Sequence, residues 1–293
     1  MSPQQPAQTL SFDEKYRKMQ ETLRELGRVA VAFSAGVDST LVLRVAADTL
    51  GPNNVIAVTG RSDSLAEGEF EEARRLAAAC GVEHVILDTA EFSDPRYLAN
   101  SADRCYFCKT ELYDKIAALV ADRGLNAVVS GTNVEDYDDW RPGLRAAAEH
   151  RVRSPCAEAG MTKGDIRELS RRLGLPTFDK PAMPCLSSRV QIGEHITPDK
   201  LKMVERGEAF LRSLGLRDVR VRHHGKLARV EVPADRIAEC MEPQMRARID
   251  AKLREIGYTW VAMDMRGFRS GAMNEALDLE RRSRGEPADD KQA

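Results

Sequence analysis

Residues 34 to 39 read Ser-Ala-Gly-Val-Asp-Ser and lie between an apolar run, Arg28 to Phe33, and a helix-forming segment that begins at Thr40. A turn of small residues at such a junction aims backbone N–H groups and the positive end of a helix at one point, which holds phosphate without a cage of lysines. The Walker form of this loop ends in Gly-Lys-Ser/Thr and uses its lysine on the terminal phosphates. Here an aspartate follows the glycine turn, which suits pyrophosphate and a metal ion. Ser34, Gly36, Val37 and Ser39 are therefore candidate nucleotide ligands, and Asp38 is the candidate carboxylate for Mg²⁺.

The second group with chemical potential is made of thiols. Cys105 and Cys108 form a CxxC, and Cys185 stands in an irregular Pro-containing stretch. Three readings fit the pair: a redox dithiol, a zinc site, or two unrelated cysteines at a helix start. Zinc wants a fourth ligand, and neither His84 nor His150 has an evident claim. A lone cysteine is by default a small buried apolar residue, but Arg189, Lys180 and a flexible Pro-bounded loop favour a thiolate at Cys185. Cys80, Cys156 and Cys240 read as structural. Arg220 and Arg222 alternate on one expected strand and so face one side, a geometry that fits a phosphate. Glu205 and Glu208, three apart on a helix, could bind a metal or orient a substrate.

The elements that position these residues follow from periodicity. Short β-branched runs (Val29 to Phe33, Val55 to Thr59, Val85 to Asp88, Ala127 to Ser130) alternate with amphipathic segments (Asp38 to Leu50, Ala66 to Cys80, Thr110 to Asp122). That pattern predicts an α/β domain, a parallel sheet with helices on both faces. Ligands of such sheets bind at the carboxyl ends of the strands. The phosphate loop, Thr59 to Ser62, and Gly131-Thr132-Asn133 all fall there, which makes Thr59, Ser62, Gly131, Thr132 and Asn133 candidates for holding adenine and ribose. After a helix from Lys163 to Leu173, stopped by Gly174 and Pro176, comes the irregular segment that carries Cys185. The pattern then changes to helix (Pro198 to Leu214), two strands (Asp218 to His223, Leu227 to Val232), two helices (Pro233 to Glu239, Gln244 to Ile256) and a strand (Thr259 to Met265), a smaller α+β domain. The expected division is a disordered N-terminus over 1–15, a nucleotide domain over 16–180, a cysteine-bearing loop over 181–197, a small α+β domain over 198–278 and a disordered tail over 279–293.

With 44 Lys plus Arg against 46 Asp plus Glu, no overall positive field draws nucleic acid or an anionic membrane. No apolar run approaches membrane-spanning length, and the first residues lack the apolar core of a secretory signal. The expected class is a cytoplasmic protein whose partners are small molecules or proteins.

The loop at 34–39 resembles the PP-loop of the ATP pyrophosphatases, usually Ser-Gly-Gly-x-Asp-Ser; Ala35 replaces the first glycine and Gly36 keeps the turn. The likeness sharpens through Gly131-Thr132-Asn133 with Asp136, Asp139-Trp140-Arg141-Pro142-Gly143-Leu144-Arg145, Arg153-Ser154-Pro155, and Lys180-Pro181-Ala182-Met183-Pro184-Cys185-Leu186-Ser187-Ser188-Arg189. From Leu23 to Glu275 the chain is similar to the LarE family of ATP-dependent sulfur transferases. That resemblance implies an enzyme that adenylates the carboxylate of a pyridinium dicarboxylate mononucleotide and then sulfurates it, on the way to the nickel-pincer nucleotide of lactate racemase. It implies ATP and Mg²⁺ as cofactors and Cys185 as the sulfur-bearing nucleophile. Members with a CxxC imply instead a [4Fe–4S] cluster held by Cys105, Cys108 and Cys185, with an open iron that carries sulfide. It further implies a substrate that carries phosphate and carboxylates and needs an arginine-rich pocket, for which Arg189, Arg220, Arg222 and Glu208 are the candidates, with Arg269, from the late motif Arg266 to Asn274, as another phosphate or interface contact. A homo-oligomer, a hexamer, is implied, with a sulfur donor and a downstream nickel-inserting protein as possible partners. Rival readings keep the loop but deliver nitrogen, thiolate tRNA, or sense ATP without forming AMP.

Overall fold

The computed structural model describes residues 10–138 and 141–269. Asp139, Trp140, the end of the 266–274 motif and the tail at 279–293 lie outside the described residues. In chain order the elements are α1 (Phe12–Leu26), β1 (Val29–Ala32), α2 (Val37–Leu50), β2 (Val55–Arg61), α3 (Glu67–Ala79), β3 (Glu83–Asp88), α4 (Pro95–Leu98), α5 (Arg104–Asp122), β4 (Ala127–Val129), α6 (Pro142–Glu149), α7 (Pro155–Glu158), α8 (Lys163–Arg172), α9 (Pro198–Ser213), β5 (Arg220–His224), β6 (Leu227–Glu231), α10 (Ile237–Met241), α11 (Pro243–Ile256) and β7 (Trp260–Met263).

Two compact units result. One comprises the described residues up to Glu91 together with those of Cys105–Met183; the other comprises Phe92–Arg104 together with the described residues from Pro184 on. In the first, four parallel strands stand in the order β3-β2-β1-β4. Alternate side chains go to opposite faces, as the pleat requires. Val29, Val31, Val55 and Ala57 join Met19, Leu41 and Leu76 in one core, whereas Ala30, Ile56 and Val58 join Tyr113, Ile116 and Ala146 in another. Helices therefore cover both faces, as a parallel sheet demands. Because the chain goes from β1 to β2 on one side and later to β4 on the other side of β1, the crevice between the loops after β1 and β4 is a topological switch point.

Two local findings correct the sequence reading. Helix α1 starts at Phe12, inside the stretch expected to be disordered to residue 15, because Ser11 and Glu14 form a capping box in which the Ser11 amide donates to Glu14 Oε2 at 2.8 Å. Helix α5 starts at Arg104 rather than Thr110, so Cys105 and Cys108 lie in its first two turns.

The second unit is α+β. Strands β5 and β6 form an antiparallel hairpin around Gly225, whose φ of 58° is the left-handed turn conformation. Strand β7 then pairs parallel to β6 after the α10–α11 crossover. Leu211, Val221, Val230 and Leu253 form its core. Segment 92–104 belongs to this unit because Ile196 N donates to Leu98 O at 2.9 Å and Asn100 Nδ2 donates to Gln191 O at 2.8 Å.

Candidate active site

The loop after β1 is built to leave amides open. Ala35 has φ 56°, and Gly36 is the N-cap of α2 with no side-chain hydrogen bond capping the helix. The first helical bond is Thr40 N to Gly36 O at 2.9 Å, so the amides of Val37, Asp38 and Ser39 precede it. Ser39 closes the turn: its hydroxyl bonds Gly36 O at 3.3 Å, lies 3.1 Å from Ser34 Oγ and accepts the Ser34 amide at 3.3 Å. Gly131 lies against this turn; a Cβ there would meet Ser39 N at 2.6 Å. The switch-point crevice is thus walled by the helix start on one side and the β4 loop on the other.

Asp38 pairs with Lys163, at the start of α8, through Oδ2, whereas its Oδ1 is buried with no hydrogen-bond partner. A buried acceptor beside uncapped amides fits a hard cation shared with phosphate oxygens, since Mg²⁺ is commonly held by one or two carboxylates plus substrate phosphate. Lys180 Nζ reaches Ala35 O at 3.2 Å and Glu69 and Glu72 at 2.7 Å each.

The other strand-end residues are more inward than the sequence suggests. Thr59 is buried: its hydroxyl donates to Phe33 O at 2.8 Å and lies 2.8 Å from His84 Nε2. Ser62 bonds the buried carboxylate of Glu91. Asn133 is also buried, with its amide and side chain on Asp136 Oδ2 at 3.0 and 2.9 Å, and Asp136 in turn holds Arg141 at 2.5 Å. Thr132 Oγ1 lies 3.0 Å from Ser130 Oγ. Burial, with Asp38 nearby, pushes the Cys156 thiol far up, which makes it chemically inert.

In the second unit Cys185 is exposed and precedes a short 3-10 turn, Leu186–Arg189. Arg189, only 1% exposed, forks onto Glu208 at 2.8 and 3.1 Å and donates its remaining arm to Pro184 O, Cys185 O at 3.1 Å and Ser188 Oγ at 3.0 Å. Its guanidinium shapes the loop backbone that carries the thiol. Segment 92–104 clamps the same loop: Tyr97 OH lies 2.6 Å from Ser187 Oγ, and Arg104, which precedes Cys105 in the chain, donates to Ser187 O at 3.1 Å.

Arg220 and Arg222 are buried. Arg222 is bidentate to Glu231 at 2.9 Å and reaches Ser188 O at 3.0 Å. Burial, with Arg189 close by, pulls Arg220 down to about 10. Glu208 stays well below its ordinary value despite its burial because Arg189 and Arg220 surround it. Arg269 donates to Gly267 O at 3.1 Å and pairs with Asp264 at 3.5 Å.

Three relatives show what the chain is similar to. An uncharacterized protein of Synechocystis sp. is 42% identical over 266 residues, 91% of this chain and 99% of its own. The pyridinium-3,5-bisthiocarboxylic acid mononucleotide synthase of Lactiplantibacillus plantarum is 40% identical over 257 residues, 87% of this chain and 92% of its own. The chain belongs to the LarE family of sulfur transferases. The argininosuccinate synthase of Halobacterium salinarum is 33% identical over 163 residues, 51% of this chain and 40% of its own, and shares the PP-loop fold. No family model matches the chain.

In this LarE-family chain the thiols sort by exposure. Cys105 and Cys185 are exposed and Cys108 half-buried, while Cys156 and Cys240 are buried. Cys105 and Cys108 stand three apart on α5 in one unit, and Cys185 belongs to the other. Among the described residues no group of three or more His, Cys, Asp or Glu side chains is placed to hold a metal ion, so neither unit by itself forms a three-thiolate cage. Also among the described residues, no helix is long and apolar enough to cross a membrane. Sequence reasoning missed Lys163 and the clamp of Tyr97, Asn100 and Arg104. Lys163 follows the capping box of Thr162 and Asp165, a local signal that places the residue at a helix start without naming Asp38 as its partner.

Proposed function

We propose that this chain activates a carboxylate of a pyridinium dicarboxylate mononucleotide with ATP and replaces one of its oxygens by sulfur. Oxide is too poor a leaving group for direct exchange. A carboxylate oxygen attacks the α-phosphorus, the bond to the bridging β-phosphate oxygen breaks, and pyrophosphate leaves an acyl-adenylate. The amides of Val37, Asp38 and Ser39 receive the growing charge on pyrophosphate, with the Ser34 and Ser39 hydroxyls beside them. Asp38 is the residue that would hold Mg²⁺, which would supply neutralisation of phosphate charge.

Sulfur delivery follows at Cys185. Its thiolate attacks the acyl carbon and AMP departs with the bonding pair. Loss of the Cys185 Cα proton then breaks Cβ–Sγ, giving thiocarboxylate and dehydroalanine. The second form of supply would be a [4Fe–4S] cluster, for which Cys105, Cys108 and Cys185 are the thiols that would serve as ligands and which would supply sulfide. Thr59, Ser62, Gly131, Thr132 and Asn133 line the nucleotide crevice; Arg189, Arg220, Arg222, Glu208 and Arg269 organise the substrate end. The family supports a cytoplasmic homo-oligomer, a hexamer, served by a sulfur donor and followed by a nickel-inserting protein in lactate racemase maturation.

The observation that carries the activation step is the uncapped start of α2 beside the unpartnered Oδ1 of Asp38. The test is anaerobic purification with iron and sulfide quantified, then incubation with ATP, Mg²⁺ and the carboxylated pyridinium mononucleotide. AMP, thiocarboxylate and intact protein mass are followed together. Many turnovers at constant mass with iron present support the cluster, and Cys105→Ser or Cys108→Ser then abolishes turnover. One turnover with loss of H₂S from Cys185 supports the sacrificial route. Absence of both AMP and thiocarboxylate rejects the reading.

A further inference from the structure

Lys180 is a residue that nucleotide chemistry has not yet used. It lies five positions before Cys185, and its ammonium turns back onto the phosphate loop, with Ala35 O at 3.2 Å and the Glu69 and Glu72 carboxylates at 2.7 Å each. Its side chain is 12% exposed, so the contact is not one of many surface alternatives. The backbone of Lys180 is held independently: Arg167, on α8, donates to Phe178 O at 2.7 Å and to Lys180 O at 3.0 Å, and Lys180 N donates to Thr177 O at 3.0 Å. The lysine is therefore a fixed strut between α3, α8 and the loop.

What it grips matters. Ala35 sits at φ 56°, a left-handed conformation that glycine takes freely and alanine takes only at a cost. The next residue is the N-cap of α2, so the peptide that follows Ala35 leads directly into the open amides. A relaxation of Ala35 to an ordinary right-handed or extended backbone would rotate that peptide and move the amides of Val37 and Asp38 off the phosphate. A cation bound to the Ala35 carbonyl stabilises the strained rotamer of the backbone, and the two glutamates hold that cation in place.

We propose that Lys180 is a positioning residue of the phosphate loop: by holding the Ala35 carbonyl it keeps the left-handed turn that aligns the amides of Val37, Asp38 and Ser39 for the pyrophosphate of ATP. This rests on the loop's reading as the ATP site. It predicts a specific coupling, because glycine at position 35 holds the same turn without help. The strut should matter in the alanine background and much less in the glycine one.

The test is a double-mutant cycle on the full chain with A35G, K180M and A35G/K180M, read by equilibrium binding of Mg²⁺ and the non-hydrolysable α,β-methylene analogue of ATP. Thermal unfolding is measured on the same samples. K180M alone is expected to raise the Kd about tenfold, and the same change in the A35G background by only about two- to threefold. A merely structural role lowers the unfolding temperature without that coupling. Equal losses in both backgrounds, or an unchanged Kd in a folded K180M, overturn the proposal while leaving the ATP site standing if the unaltered chain binds the analogue. If the unaltered chain binds none, the ATP reading fails and this inference fails with it.

Discussion

Gly131→Ala is the sharpest single perturbation of the candidate site. A Cβ at residue 131 would lie 2.6 Å from Ser39 N, 2.8 Å from the Asp38 carbonyl carbon and 2.9 Å from Asp38 Cβ. Ordinary contact begins at 3.4 Å, so the loop or the first turn of α2 must yield by the difference between 3.4 and 2.6 Å, about 0.8 Å. Two of the three obstacles are backbone atoms, and no flexible side chain can swing aside. Overpacking of this kind costs about 1–3 kcal/mol, which lowers the unfolding temperature by about 3–10 °C for a unit of this size. The functional loss is larger than the structural one. The displaced atoms belong to the amides and carboxylate that meet pyrophosphate, and a misplacement approaching 1 Å costs about 10²-fold in rate. The assay is AMP release under saturating ATP, with thermal unfolding alongside. Gly68→Ala is the control: it lies in the first turn of α3 with nothing within 4 Å of a new Cβ, and it should be neutral or stabilising. A Gly131→Ala chain that keeps its rate within about twofold and its unfolding temperature within about 1 °C would refute the close approach and its role.

Two further outcomes follow from buried charge. Arg189→Met removes the bidentate partner of buried Glu208 and leaves it Arg212 at 2.7 Å, the Val221 amide at 3.3 Å and the nearby charge of Arg220, so the second unit should lose about 3–5 kcal/mol in urea denaturation, and adding Glu208→Gln should recover part of it; a small loss with a raised KM for the mononucleotide would instead place Arg189 on the substrate. Lowering the pH from 7.5 to 5.5 should reduce stability, because burial holds His84, His223 and His224 below their ordinary value. Their unfolded forms take up protons below about pH 6.5 while the folded forms resist, so the stability they contribute is present above that pH and is lost beneath it. His150 works the other way, since Asp114 and the Ala146 carbonyl outweigh its burial and raise it; its contribution is present below about pH 6.5 and fades as the pH rises. A urea midpoint that is equal or higher at pH 5.5 contradicts the three-to-one balance.

What could be read from the sequence is what local chemistry governs. The alternation of apolar runs with helical segments placed β1, α2, β2 and α3 because a sheet buried on both faces leaves continuous Val and Ala runs at Val29 to Ala32 and Val55 to Val58. The small-residue turn at 34–36 was legible for the same reason. Helix α1 was missed because Pro3, Pro6 and the glutamines beside them obscured the capping signal of Ser11 and Glu14. The site itself was legible only in its first layer. Residues Arg220 and Arg222 were expected to share a strand face, and they are buried beside Glu208 and Glu231, acids that come from α9 and β6. No spacing rule links residue 222 to residue 231 before the hairpin register is known.

The same limit explains the phosphate loop. Its sequence shows which atoms can meet phosphate but not what keeps them there: Asp38 finds Lys163 125 positions away, and Ala35 finds Lys180 145 positions away. Lys163 enters from a segment whose own pattern signals only a helix start, and Lys180 from a stretch whose pattern points to Cys185. A Walker loop carries its cation within the motif, so motif and charge are inherited together. Here the loop carries an aspartate and a strained alanine, and the fold supplies the cations from outside. Substitutions in the 160s and at residue 180 should therefore alter ATP handling as strongly as changes within the loop, although nothing in their immediate sequence marks them as nucleotide residues.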